Sequence, residues 1–358
     1  MTFLNKYGFL CLSLVLMLVT ACLPDVPGEE EPDTEIGPLD YKEGIYVVNR
    51  GLTQNSDQSG SITFVERREG GRTVPDIFRS TNLTRDLGNL TNSMYVHNGL
   101  AYIISTNADR IDVVKLDDFK FLGPILGLKK PRYMVTVSPG IAWVSQWGEN
   151  GDEGSIAVID LSSNSILREI PVRPGPEQML LQDEVVYVAN SGGFLLDSVI
   201  TKLDIESETI LKTIEVGLQP QSFQMDANRS IWVIARGSQT FDQTREGRLT
   251  QLINDEVSQS FPIDHGAGNL SINNARDRLF YTMRGALFSH PIRQSSISLA
   301  PFIDFPYLTA AVDPRTDNII GTDARNFQVK GRIVIHSPSG EEIEDYQVGI
   351  VPISFWFQ

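Results

Sequence analysis

Seven times along this chain a short apolar phrase returns at intervals of roughly forty to fifty-five residues, which is the period of a propeller blade. The phrase is clearest as VVYVAN over 185–190, and recurs as IYVVN from 45, LAYIIST from 100, IAWVSQ from 141, SIWVIA from 230, RLFYTM from 278 and, in degraded form, NIIGTD from 318. Val, Ile, Tyr and Trp dominate it at alternate or consecutive positions, as strands buried on both faces require. A further strand follows each copy, for example SITFVE from 61 and SIAVIDLS from 155. Polar turns and Gly/Pro stops then mark two more strands per repeat. A lone four-stranded sheet of this composition leaves apolar faces wet, so neighbours must stack and the ring must close to remove its last open edge. The sequence predicts an all-β, seven-bladed β-propeller of four-stranded antiparallel blades over 44–358. The chain enters the ring on a second strand and ends on an unattached first strand, ISFWF over 353–357, so pairing of the N- and C-terminal strands is expected to close it.

The first 22 residues stand apart. Lys6 precedes an apolar stretch from Phe9 to Val19, and small residues lead into Cys22, the pattern of a bacterial lipoprotein leader with a lipid-accepting thiol. Residues 23–43 contain Pro24, Pro27, Pro32 and Pro38 with Glu29, Glu30 and Glu31, and read as a disordered acidic tether. The expectation is a lipid-anchored protein of the outer membrane facing the cell exterior, with a periplasm-facing anchor as the alternative. Cys11 and Cys22 are the only two cysteines, so a lipidated mature chain has no disulfide, thiolate metal site or cysteine nucleophile. A net charge of −15 opposes nucleic acid as a partner.

Loop lengths distinguish the two ends of the ring. Turns between first and second strands are tight, as at His97-Asn98-Gly99 and Ser138-Pro139-Gly140. On the opposite rim five of the seven blades carry loops of about eight to eleven residues, among them 50–60, 147–154, 191–198, 237–247 and 323–331. This rim is the expected ligand-binding face. Inter-blade linkers bring Asn92, Arg132, Tyr133, Glu177, Gln178, Gln221, Asn269 and Tyr307 to its centre, and the loops and strand ends add Trp147, Asn190, Arg236, Phe241, Arg284 and Arg325. Amides and aromatics at a central funnel suit a neutral or amphiphilic ligand held by stacking and hydrogen bonds. Satisfaction of backbone groups at strand starts is the structural alternative for each residue.

His97, His265, His290 and His336 fall in different blades without metal-site spacing, and no serine sits in a Gly-x-Ser-x-Gly elbow. Rim carboxylates at Asp57, Asp152, Asp197, Asp242 and Asp323, with the Glu149–Glu153 run, leave weak cation binding open. No cofactor and no enzymatic activity are expected.

Third strands ending in Val-Gly-x-x-Pro, as at Val216 to Pro220, followed by Tyr-Val-Ala-Asn-type strands, resemble the YVTN repeats of YncE-like propellers. More narrowly, Tyr187-Val188-Ala189-Asn190-Ser191-Gly192-Gly193, preceded by Pro176-Glu177-Gln178-Met179, together with Tyr46-Val47-Val48-Asn49-Arg50-Gly51 and Lys130-Pro131-Arg132, resembles Bacteroidetes surface lipoproteins that capture cobalamin for a TonB-dependent transporter. That resemblance implies a non-catalytic propeller that binds a small ligand and associates with such a transporter. A protein- or glycan-binding scaffold and a lactonase- or lyase-type propeller enzyme are the other classes the fold allows.

Overall fold

The computed structural model describes residues 41–52, 58–239 and 243–358. The leader, Cys22 and all of the tether before Tyr41 lie outside the described residues. Tyr41 itself already belongs to the ring, its ring meeting Phe64 edge-on at 5.1 Å.

Seven antiparallel sheets follow one another around a propeller. The second strands are the repeated phrase: Gly44–Asn49, Leu100–Ser105, Ile141–Gln146, Val185–Asn190, Ile231–Ala235, Arg278–Met283 and Ile319–Asp323. Blade 1 is closed by the C-terminal strand Pro352–Phe357, which pairs antiparallel with Gly44–Asn49 and sets Tyr46 against Trp356 and Val47 against Phe355. That strand is the expected ISFWF clasp.

Each interface between blades has its own core, and the phrase explains why. Tyr46 and Val48 point into the cluster shared with blade 2, which contains Ile103 and Val114, while Ile45 and Val47 point back into the cluster shared with blade 7, around Ile320 and Ile333. Successive strand residues face opposite sides of the sheet, so a strand sandwiched between two neighbours must be apolar at every position. The same division recurs at Trp143 and Val144, Tyr187 and Val188, and Phe280 and Tyr281.

One blade lacks a full outer strand and another has a very short one. Blade 6 has three paired strands, Gly268–Ile272, Arg278–Met283 and Ala286–Pro291, and its outer strand is reduced to a bridge between Leu287 and Ile303. The stretch from 293 to 306 is rich in serine and holds Pro301 and Pro306, so it lacks both the alternation and the donors of a longer ladder. In blade 1 the outer strand is Thr73–Val74 alone. Pro75 ends that ladder, and a five-residue helix, Ile77–Thr81, capped by the Asp76 carboxylate, buries Ile77 and Phe78 in the blade 1–2 core instead.

The ends of the chain are also tied by charge. Arg67 Nε donates to Asp313 Oδ2 at 2.6 Å and its Nη1 to the Gln358 carbonyl at 2.5 Å, joining blade 1 to blade 7.

Candidate functional site

The mouth of the ring on the long-loop face opens into a cavity of about 560 Å³. A bulge near the start of the inner strand aims the lining side chains. In blade 2 Thr91 pairs with Ser105 and Ser93 with Ile104, which leaves Asn92 unpaired; Arg132 and Tyr133, Glu177 and Gln178, Gln221, Asn269 and Ile353 occupy the same bulge in blades 3, 4, 5, 6 and 1. A bulge adds a residue without a ladder partner and re-aims its side chain. Pro131, Pro176, Pro220 and Pro352 fix φ at the first residue of four of these strands.

Asn92, Arg132, Tyr133, Trp147, Gln221, Arg236, Asn269 and Tyr307, all expected from the sequence, converge on this cavity. Gln178 lies in a second cavity of about 630 Å³ lower in the ring, among Leu181, Met225, Ile272 and Phe355. Tyr133, Asn269, Thr309 and Ile353 line both. Asn190 is placed elsewhere: fully buried, it accepts from Thr201 Oγ1 at 2.7 Å and donates to the Arg173 carbonyl at 2.9 Å, holding strands together. Arg284 pairs with Asp264 on the outer edge, and Arg325 with Asp323 on its own loop. Phe241 lies outside the described residues, as do Asp57 and Asp242.

Arg132 is the hub. Its Nε donates to Glu177 Oε2 at 3.1 Å, and its guanidinium lies over the Trp147 ring at 4.5 Å. Trp147 in turn meets Phe194 edge-on at 5.7 Å. The loop bearing Phe194 is held by a close backbone crossing, with Ser191 N donating to Gly175 O at 2.8 Å and Phe194 N to Gly151 O at 2.8 Å. A Cβ on Gly175 would lie 1.8 Å from Gly193 N, so the glycine pair of the Asn-Ser-Gly-Gly motif and its partner exist to let the loops touch.

Burial raises the Glu177 carboxyl above its ordinary range, against the opposing effect of Arg132. The Tyr133 hydroxyl is pushed up to about 12 by burial and then by the Glu177 charge. Arg50 is lowered by desolvation at the funnel wall and by the Arg132 cation.

Sequence reasoning missed Arg50, Lys130 and Phe194, which also line the cavity. Arg50 was available from the repeat: it follows its second strand directly, as Thr106, Trp147 and Arg236 follow theirs, and all four reach the funnel. The histidines do not gather. His290 is fully buried between Trp232 and Phe261, at ring separations of 5.4 and 5.0 Å, and His336 bonds Tyr307. Among the described residues no group of three His, Cys, Asp or Glu could hold a metal ion. Of the rim carboxylates, Asp197 is taken by Arg173 and Asp323 by Arg332.

A seven-bladed propeller with one aromatic and cationic funnel is therefore the class of protein that fold and site define. No family model and no curated protein matches the sequence. Solved structures do match the fold. A quinonprotein alcohol dehydrogenase-like protein from Bacteroides thetaiotaomicron is similar over 89% of this chain and 79% of its own at 15% identity, with a TM-score of 0.66. A protein from Bacteroides fragilis named for 6-phosphogluconolactonase is similar over 90% of this chain and 100% of its own at 10% identity and a TM-score of 0.65. Apo AztD from Citrobacter koseri gives 11% identity, coverage of 87% and 96%, and a TM-score of 0.53. At such identities the likeness establishes the propeller and nothing of the chemistry.

Proposed function

We propose that this protein is a non-enzymatic ligand-binding lipoprotein, displayed on the outer membrane through Cys22, that captures a small molecule in its funnel for a TonB-dependent transporter. The observation that carries the reading is the funnel itself: about 560 Å³, within the ~300–1,000 Å³ of small-molecule sites, and lined by Trp147, Phe194, Tyr133 and hydrogen-bonding amides at bulges. A corrinoid is the first candidate ligand, on the strength of the resemblance in the repeat and leader. Calorimetric titration of cobalamin into the chain Leu39–Gln358, which forms one compact unit, tests it. Heat and a spectral shift lost in Trp147→Ala support capture; no response at high micromolar ligand removes the corrinoid.

One observation favours a macromolecular partner at the same rim. Phe194, Leu195 and Leu196 are 68%, 54% and 46% exposed on one loop, and Phe327 and Val329 on another are half exposed. Within the proposal they supply apolar contacts to the transporter; under the scaffold alternative they hold the main partner. Cross-linking from position 195 in native membranes, with and without ligand, separates the two.

A further inference from the structure

The protein carries 45 Asp and Glu against 30 Lys and Arg, yet the described residues lining the funnel include four cations, Arg50, Lys130, Arg132 and Arg236, and no carboxylate. Their charges are unequally spent. Arg132 is matched by Glu177, which lies behind it and is 4% exposed. Lys130 donates Nζ to the Glu149 carbonyl at 2.5 Å, a neutral acceptor that leaves its charge in place. Arg50 and Arg236 are exposed to the funnel, and no described residue gives either guanidinium a hydrogen bond or a salt bridge; Arg236 shares only the longer-range field of Glu177, the carboxylate already bonded to Arg132.

Cations brought together without counter-ions repel, and the Arg132 charge does act on Arg50. A concave site lined by one sign of charge also focuses its field on whatever enters. Several arginines elsewhere are neutralised, Arg173 on Asp197, Arg248 on Glu246 and Arg332 on Asp345, whereas the funnel gathers its cations in one concavity. We infer that the funnel selects an anionic amphiphile, a molecule whose carboxylate, sulfate or phosphate group is clamped by Arg50 and Arg236 while a flat apolar portion lies against Trp147 and Phe194. Guanidinium suits that role because its forked donors match the paired oxygens of such groups. The inference rests on the funnel being the ligand site and adds the charge class of the ligand.

Two dyes with the same rings separate these statements: anilinonaphthalene sulfonate, which is anionic, and phenylnaphthylamine, which is neutral. Each is titrated into Leu39–Gln358 and followed by quenching of Trp147, read as the difference from Trp147→Phe. The expected result is tighter binding of the sulfonate, weakened about ten-fold or more by Arg50→Gln/Arg236→Gln and by added salt, with the neutral dye unmoved. The variant must melt with the wild type, which its two solvent-facing side chains allow. Equal affinities for both dyes, or sulfonate binding that ignores the two arginines, overturn the anion assignment while leaving the funnel as a site. Failure of both dyes to reach Trp147 overturns the site and the assignment together.

Discussion

Arg132 and Glu177 meet across the boundary between blades 3 and 4, Nε to Oε2 at 3.1 Å, each on the bulge of its own inner strand. The carboxylate is almost wholly buried and is faced by Arg132, Arg236, Tyr133 and Ser191. A pair of this kind fixes the position of the stacked guanidinium more than it stabilises the fold.

The pair makes anion binding dependent on pH. Burial raises the Glu177 pKa above its ordinary 4.5, so the native carboxylate takes up its proton first as pH falls. Stability from this group rises as pH drops from the raised value towards 4.5 and is lost in the opposite direction. Protonation also uncovers the Arg132 charge. Sulfonate affinity is expected to increase on acidification in the wild type and to be flat across the same range in Glu177→Gln, measured by titration at several pH values.

Ring closure should be sensitive at one ion pair. Asp313 is 2% and Arg67 11% exposed in their side chains, so Arg67→Ala strands a buried carboxylate. A loss of about 3–5 kcal/mol is expected in denaturant melts. Adding Asp313→Asn should recover much of it, since the uncompensated charge is then gone.

His290 gives the fold an acid limit. Burial between aromatic rings lowers it from 6.5 to about 4, and neither ring nitrogen has a hydrogen-bond partner among the described residues. The unfolded chain takes up the proton first, so this contribution is complete above pH 6.5 and is lost as pH falls from 6.5 to 4. The shift corresponds to about 3 kcal/mol. His290→Leu should lose less stability over that interval than the wild type, as thermal melts at each pH would show.

Asn190 and Gln221 belong to different classes although both looked like funnel residues. Asn190→Ala leaves the Thr201 hydroxyl and the Arg173 carbonyl without their buried partner and should cost about 1–3 kcal/mol with ligand affinity unchanged. Gln221→Ala, on a bulge in the funnel wall, should do the reverse. Paired melts and titrations distinguish them.

The period of the phrase made the blades and their order legible, because a strand buried on both faces must be apolar throughout, and Ile45 to Val48 announce that in four letters. The missing outer strand of blade 6 was harder to see, since the segment after Pro291 contains apolar residues that reach Ile303 without alternation. Inner-strand residues such as Arg132 and Asn269 were found because linkers must pass the axis. Arg284 and Arg325 lie off the funnel lining for the same reason that Arg50 lies on it. A rim loop fixes which face a residue occupies, but whether its side chain turns inward depends on carboxylates nearby: Asp264 captures Arg284 and Asp323 captures Arg325, while Arg50 has no ion-pair partner among the described residues.

The central claim is that the long-loop mouth of the ring is where ligand binds. Hydrogen exchange of Leu39–Gln358 with and without saturating anilinonaphthalene sulfonate tests it most directly. The account predicts slowed exchange at Arg50, across Lys130 to Tyr133 and at Trp147 and Arg236, the strand starts and loop roots that form the funnel. Protection confined to Leu181, Met225, Ile272 and Phe355, in the lower cavity, would contradict it.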